Sequence, residues 1–182
     1  MCKQCELKPV YEFTNKRKLC KRCFVNYFQR KVLYTIRKFE MIKMGDIIGY
    51  KNSGKFRDVV LQDVLEMFSE KGNVKLLKLP SKKRINKIAV SSTIDLESEE
   101  IVKDIILGSL GKMEDFRAVN KKSIKPLYLF LDKEVLLYAK LKGLKYNKEK
   151  IEKNKICDFI NKLEIKHPEV KRAVVNSFLK LS

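Results

Sequence analysis

Apolar residues recur every three or four positions in several stretches of the chain, a spacing typical of helices with one buried face. In residues 21–43 they form a single stripe: Phe24, Phe28, Val32, Ile36 and Phe39. A second stripe, in residues 57–68, contains Val60, Val64 and Phe68. The same spacing predicts three C-terminal helices, at residues 132–142, 151–163 and 170–178.

Short apolar runs between these helices predict strands at residues 45–50, 74–79 and 87–91. The first strand is followed by a polar turn and then by a helix. A strand, a glycine-containing turn and a helix together can present backbone N–H groups to a phosphate. We therefore regard Ser53, Gly54 and Lys55 as candidate phosphate-binding residues, although the turn does not match the Walker A pattern.

Four cysteines near the N-terminus form two Cys-x-x-Cys pairs, Cys2 with Cys5 and Cys20 with Cys23. Each two-residue gap lets a tight turn direct two thiolates at one ion, and a hairpin between the pairs brings them together. Because no residue suggests an open coordination position, the pattern predicts a closed structural Zn²⁺ site. Four unliganded thiols, two disulfides and an iron–sulfur centre are the alternatives. We expect zinc with a folding role, and no iron–sulfur cluster.

The chain is strongly basic. Its 182 residues include 41 Lys and Arg against 22 Asp and Glu, a formal net charge of +19. Such an excess usually reflects a polyanionic partner, with nucleic acid as the first candidate and an anionic membrane surface as the weaker one. The predicted nucleic-acid contacts are basic residues of the hairpin and the first helix: Lys16, Arg17, Lys18, Lys21, Arg22, Arg30, Lys31, Arg37 and Lys38. A solvated face on a packed helix is the alternative interpretation.

No run of 18 or more apolar residues occurs, and the N-terminus opens on the cysteine pairs, not on a signal segment. The sequence therefore predicts no membrane partner. Cysteines arranged for metal binding indicate a reducing compartment, so the expected location is the cytoplasm. A hydrophobic content of 45% is enough for a packed core.

Several segments resemble, in order, the tRNA 2-thiolation branch of the PP-loop ATP pyrophosphatases. They are the two cysteine pairs, the basic helix, the Gly45-Asp46 strand, Ser53-Gly54, and residues 88–99, 124–139 and 164–179. The resemblance implies an α/β fold: a reduced Rossmann-like (HUP/PP-loop) parallel sheet with flanking helices, an N-terminal zinc ribbon and C-terminal helices. It divides the chain into a zinc ribbon (1–24), a basic linking helix (25–44), a degenerate PP-loop domain (45–131) and a C-terminal helical part (132–182).

The sequence also departs from this family. The family's Ser-Gly-Gly-x-Asp-Ser loop falls on residues 53–58, where only the first Ser-Gly matches and Arg57 stands at the acidic position. The central Cys-x-x-Cys pair of catalytic members is absent, and Cys157 is out of register with their further cysteine. We expect Cys157 to be a small buried residue. These departures weigh against ATP binding and catalysis, although Lys55 and Arg57 can still hold a phosphate.

The resemblance is strongest to the non-catalytic second subunit of the cytoplasmic tRNA 2-thiolation complex. The sequence thus predicts a tRNA-binding protein without catalytic residues that supports a catalytic PP-loop homologue in a hetero-oligomer, or that forms a homodimer. A minimal ATP-dependent tRNA thiouridylase and a zinc-ribbon nucleic-acid-binding regulator are the alternatives. His167, the one histidine, is interpreted as structural. Phe24, Tyr27 and Phe28 are candidates for base contacts, although two of them lie on the packed stripe.

Overall fold

The structure is a computed structural model that describes residues 1–109, 115–148 and 155–181. The elements of the first half are β1 (Tyr11–Glu12), β2 (Lys18–Leu19), α1 (Lys21–Lys38), β3 (Ile47–Tyr50), α2 (Phe56–Gly72), β4 (Lys75–Lys78) and β5 (Lys87–Ala89). Those of the second half are α3 (Ile94–Leu107), β6 (Val119–Asn120), β7 (Ser123–Ile124), α4 (Asp132–Lys142), α5 (Lys155–Lys166) and α6 (Val170–Leu181). Within the described ranges, no helix is both long enough and apolar enough to cross a membrane.

Five strands form one central sheet in the order β4-β3-β5-β7-β6. Neighbouring strands are parallel except for β6, which pairs antiparallel with β7 at one edge. The predicted α/β class with flanking helices is therefore confirmed, and the sheet is mixed and not wholly parallel. β1 and β2 form a separate antiparallel hairpin between the two cysteine pairs.

The parallel pairing of β3 and β5 positions the candidate loop. Because both strands run in the same direction, their carboxyl ends meet at the same edge of the sheet. The turn that leads from β3 into α2 and the turn that leads from β5 into α3 consequently lie side by side. Residues 53–58 and 91–95 are thereby brought together from distant parts of the sequence.

The elements differ from the predicted ones in several places. Helix α1 stops at Lys38, before the predicted residue 43, because Glu40 adopts a φ of +48° that turns the chain out of the helix. Helix α3 and the two-residue strands β6 and β7 are not among the predicted elements. Gly108 and Gly111 predict a connection over residues 107–116, and part of that range lies outside the described residues.

The hydrophobic core holds α1 against the rest of the molecule. Phe28 stacks on Tyr138 of α4 with ring centroids 4.1 Å apart, and its ring lies 4.3 Å from that of Phe130. All three side chains are completely buried. Rings of this size supply much of a core's stabilisation through buried apolar area. One face of α1 is thus committed to packing, and the other face remains at the surface.

Candidate functional site

The hairpin and the start of α1 bring four cysteines together. Cys2 and Cys5 lie in the first turn of the chain, where the Cys2 N–H donates to the Leu7 carbonyl at 2.9 Å. Cys20 is the residue before α1 and Cys23 lies in its first turn. The four Sγ atoms lie within 4.8 Å of one another. The sequence-predicted metal ligands therefore form one four-thiolate site.

The thiols of this site differ in acidity. Desolvation raises the pKa of Cys2, but backbone N–H groups of Gln4, Cys20 and Cys5 outweigh it and lower the pKa to about 6. The pKa of Cys23 is raised to about 12, chiefly by its hydrogen bond with Cys5. Without a bound metal the four sulfurs thus share protons. Metal binding displaces such protons, since only thiolates are metal ligands.

The loop at 53–58 is closed by its own carboxylate. Asp58 accepts hydrogen bonds from the Ser53 N–H at 3.0 Å and from the Ser53 hydroxyl. Its other oxygen accepts from the Ser91 hydroxyl at the end of β5. The Gly54 N–H donates to the Asn52 side chain at 2.8 Å. The donors at the predicted phosphate-binding residues Ser53 and Gly54 are therefore occupied by side chains of the chain itself.

Asp58 is held in its ionised form. Partial burial raises the pKa of its carboxyl group, but hydrogen bonds from Ser53 and Ser91, together with the charge of Lys55, lower it below its ordinary value overall. A negative charge therefore lies where the resemblance places a phosphate-binding loop. Lys55, the third predicted phosphate-binding residue, is exposed beside it at the start of α2.

Arg57 is paired with a carboxylate that lies outside the loop. Its guanidinium group forms an ion pair with Asp132 at the start of α4, with Nε 2.8 Å from Oδ1. Thr93 also donates to Asp132, at 2.7 Å. The Asp132 N–H in turn donates to Asp95, which accepts from Lys171 of α6 at 2.6 Å. This network joins the loop to the C-terminal helices.

A cleft of 570 Å³ lies beside the loop at the carboxyl ends of β3 and β5. Its polar wall carries Lys51, Lys55 and Ser91, and its floor is apolar, with Leu79 and Val90 among the contributors. A cavity of this volume is large enough for a small-molecule ligand. The charge of Asp58 on its wall disfavours an anionic ligand at the loop itself.

The predicted nucleic-acid-binding residues do not form one uniform group. Six are exposed: Lys16, Lys21, Arg22, Arg30, Arg37 and Lys38. Lys18 forms an ion pair with Glu12 across the hairpin at 3.2 Å. The guanidinium group of Arg17 lies 4.4 Å from the centroid of the Phe13 ring, a cation–π contact that holds it against the hairpin.

Lys31 belongs to the interior and not to the exposed face of α1. Its Nζ lies 3.4 Å from an Oε of the completely buried Glu134, which also pairs with Arg172. Burial lowers the pKa of Lys31 to about 8, although the charge of Glu134 opposes this shift. The predicted phosphate contact by Lys31 therefore needs correction, because its side chain is only 15% exposed and its charge is matched within the fold.

One residue is more exposed than predicted, and two residues of the site were not among the predicted ones. Cys157 is only partly buried and accepts a hydrogen bond from Asn161. Asp58 occupies the position of the last serine in the family's loop. Its carboxylate was the feature of the sequence that indicated an acceptor for the loop's own donors. Tyr34 is 57% exposed on α1, whereas Phe24 and Phe28 are completely buried. The position of Tyr34 outside the apolar stripe and beside basic residues was the feature of the sequence that indicated its exposure.

Comparisons with known proteins give the fold. No protein-family model matches the sequence, and no curated protein matches it. The structure is similar to that of the U34-tRNA thiolase NcsA from Methanococcus maripaludis with its 4Fe-4S cluster. The TM-score is 0.81 at 17% sequence identity, over 99% of this chain and 86% of that one. This chain has the fold of that thiolase. The resemblance to the tRNA 2-thiolation branch is thereby confirmed at the level of the fold.

The cofactor prediction, a structural zinc ion and no iron–sulfur cluster, is contradicted. The similar thiolase is described with its 4Fe-4S cluster, and the four cysteines of this chain converge in one site. Four thiolates are the usual ligands of such clusters as well as of zinc. Cysteine spacing in a sequence indicates that four thiolates meet, but it does not give the number of metal ions between them.

Proposed function

We propose that this chain is a non-catalytic, tRNA-binding subunit of a complex that 2-thiolates wobble uridine. The similarity of the fold to that of a U34-tRNA thiolase supports a role in tRNA 2-thiolation. The observation that carries the non-catalytic role is the position of Asp58, which takes the Ser53 N–H and hydroxyl donors of the loop. An active nucleotide site would leave such donors free for phosphate oxygens.

The charges around the loop also weigh against nucleotide binding. A triphosphate at this loop would meet the ionised Asp58 within a partly buried site, where like charges repel more strongly than in water. Arg57 does not offset this repulsion, because its charge is matched by Asp132. Lys51 and Lys55 remain as single cations at the rim of the cleft. The loop therefore favours its closed form over a nucleotide complex.

Helix α1 supplies the surface that we assign to tRNA. Lys21, Arg22, Arg30, Arg37 and Lys38 are exposed along it. Exposed cations neutralise phosphates and release counterions, which gives affinity without base specificity. The net charge of +19 is consistent with a polyanionic partner.

We propose further that Cys2, Cys5, Cys20 and Cys23 hold an iron–sulfur cluster. Four thiolates are the usual ligand set of such a cluster. A thiolate on every iron would leave no iron with an open coordination position, so the cluster would have a structural role. The four Sγ atoms lie within 4.8 Å of one another. One thiolate per iron needs more room than a single ion does, so the two cysteine turns would have to move apart.

Metal analysis of the chain purified without oxygen tests this assignment. We expect iron and acid-labile sulfide in equal amounts and visible absorption that disappears in a Cys5→Ser/Cys23→Ser variant. The Cys157→Ser variant, which leaves the four-cysteine site intact, should retain both. One zinc ion per chain without sulfide would contradict the cluster assignment.

The subunit proposal is tested by recovering the tagged chain from its native cell, followed by identification of bound proteins and sequencing of bound RNA. We expect a full-length PP-loop homologue together with tRNA. Recovery of the chain alone with mixed nucleic acid would contradict the proposal and would leave a nucleic-acid-binding regulator.

The similarity over 99% of the chain to a thiolase supports a second candidate, a minimal ATP-dependent tRNA thiouridylase. Calorimetric titration with Mg–ATP separates the two candidates. The subunit proposal expects no measurable binding to the wild-type chain. Binding, together with 2-thiouridine formation by the chain and a sulfur donor, would favour the enzyme.

A further inference from the structure

A second cleft lies along α1, away from the loop. Its volume is 540 Å³, and it is lined by Gln4 from the first cysteine turn and by Asn26, Tyr27, Arg30, Lys31 and Tyr34 from the helix. Asn26, Arg30 and Tyr34 are each four residues apart, and Tyr27 and Lys31 lie beside them, so the helical residues share one face of α1. The cleft therefore extends from the four-cysteine site along about two turns of helix.

Tyr34 forms the open end of this cleft. Its side chain is 57% exposed although α1 offers a packed face on its other side. The Lys38 ammonium lies 6.0 Å from the centroid of its ring. An aromatic ring in solvent beside cations is the arrangement on which unpaired bases stack in proteins that bind single-stranded nucleic acid.

Tyr27 forms the inner wall. Its ring is held edge-on against Phe13 at 5.0 Å, and the Lys31 ammonium lies 5.7 Å from its centroid. Burial raises the pKa of Tyr27 to about 12, so its hydroxyl group keeps its proton at neutral pH. The inner wall is therefore rigid and carries a hydrogen-bond donor.

The polar groups of the cleft suit the edge of a base. Among the residues that the structure describes, the side chains of Gln4, Asn26 and Arg30 have no hydrogen-bond partner. Side-chain amides both donate and accept, as the Watson–Crick edges of bases do. Of the two cations in the lining, Lys31 is paired with Glu134, and Arg30 is left to contact an anionic group of a ligand.

We propose that this cleft, defined by residues 4, 26, 27, 30, 31 and 34, binds an unpaired nucleobase of RNA. The base stacks on Tyr34, its edge meets Asn26 or Gln4, and Arg30 contacts a flanking phosphate. The proposal rests on the proposed function and deepens it. It assigns a single-stranded part of the RNA to the cleft. The other exposed cations of α1 then contact the phosphate backbone of the RNA.

The test compares binding of a fluorescein-labelled oligouridine of about 12 nucleotides with binding of a duplex of the same length, over a range of salt concentrations. Tyr34→Ala should weaken single-strand binding about tenfold with an unchanged salt slope, because stacking releases no counterions. Tyr34→Phe should retain wild-type affinity. Arg30→Ala should weaken binding and reduce the salt slope by about 0.7, the value for one phosphate contact on a single strand.

Phe159→Ala is the matched control, since it removes an aromatic ring of similar exposure, 52%, from α5. It should leave the affinity unchanged. If the wild-type chain binds RNA and Tyr34→Ala binds equally well, the cleft proposal is overturned and the subunit proposal remains. If the wild-type chain binds neither oligouridine nor tRNA, both proposals are overturned.

Discussion

At the scale of the residue, single side chains decide what each site can bind. Asp58 accepts hydrogen bonds from the Ser53 N–H and hydroxyl groups, so these donors of the loop are satisfied within the loop itself. Lys31 shows the same principle in a helix, since its position in the sequence suggests a surface cation but its side chain reaches a buried carboxylate. Lys31 and Glu134 are 103 residues apart in the sequence, so the local pattern does not reveal their pairing, whereas the carboxylate of Asp58 belongs to the loop itself.

Asp58→Ala tests the internal hydrogen bonding of the loop. We expect a loss of about 1 kcal/mol in the free energy of unfolding at pH 7, a modest value because solvent screens this half-buried group. The pKa of Asp58 is lowered in the folded state, so its contribution is present above the unfolded pKa of about 3.9 and is lost on acidification. Urea unfolding at pH 7 and at about pH 3 measures this difference.

The control for this comparison is Glu70→Ala, which removes an exposed carboxylate from the same helix, α2. Its effect should be close to zero at both pH values. An equal effect of the two substitutions at pH 7 would contradict the internal role assigned to Asp58.

Lys31→Met tests the burial of the lysine. The folded pKa of Lys31 is about 8, below the unfolded value of about 10.4, so the unfolded chain binds more protons between these values. The stability of the wild-type chain relative to Lys31→Met should therefore rise between pH 8 and about 10.4, by about 3 kcal/mol. Denaturant unfolding across this range measures the rise, and the exposed Lys133→Met should not reproduce it.

At the scale of the element, α1 combines two roles on two faces. Phe24, Phe28, Val32 and Ile36 bury one face in the core, whereas Arg30, Tyr34 and Arg37 lie on the other. Because the packed face fixes the helix, the exposed side chains are presented in a constant orientation. A rigid scaffold of this kind lowers the entropy that is lost on binding.

Reversal of charge on this exposed face tests tRNA binding. Replacing Lys21, Arg22, Arg30 and Arg37 by Glu should weaken tRNA binding and flatten its salt dependence, because up to four phosphate contacts are lost. Fluorescence anisotropy at several salt concentrations gives both quantities. The matched control reverses four exposed cations elsewhere: Lys78, Lys82, Lys83 and Arg84.

Both variants change the net charge by the same amount, so a non-specific electrostatic effect would weaken binding equally in the two. An equal loss would contradict the assignment of α1 as the binding surface. A selective loss in the α1 variant would support it.

At the scale of the whole molecule, the four-cysteine site stabilises a unit that has little structure of its own. The hairpin has strands of only two residues each, too short to be stable without further constraint. Its side chains Leu19 and Cys20 nevertheless belong to the main core. A bound metal group therefore couples the hairpin to the body of the protein.

The Cys5→Ser/Cys23→Ser variant tests this coupling. Amide hydrogen exchange should become fast in residues 2–20, because metal binding and folding of such a unit are linked. The strands of the central sheet should keep their protection. Cys157→Ser, at a distant and partly buried position, should exchange as the wild-type chain does. Unchanged exchange in residues 2–20 would contradict a stabilising role for the metal group.

Much of the architecture follows from local patterns. The apolar stripe of α1 predicts a helix because a period of about 3.6 residues leaves one face to bury. The two-residue gaps predict the convergence of the cysteines because each gap requires a turn. In contrast, α3 buries the polar residues Glu97 and Ser98 beside Ile94 and Ile101, and the two-residue strands β6 and β7 exist through pairing within the sheet. Pairing partners are chosen by the tertiary fold and not by neighbours in sequence.

The sequence by itself thus determined the α/β class, the packed face of α1, the four-thiolate site and the basic character of the surface. The last three of these features depend on local spacing and on composition, which a sequence contains in full, whereas the α/β class was implied by the resemblance to a known family. Only the tertiary structure decided that Asp58 fills the loop, that Lys31 turns inward to Glu134, and that Tyr34 borders an open cleft. Each of these depends on the position of a side chain relative to a partner or to solvent, and that position exists only after the chain has folded.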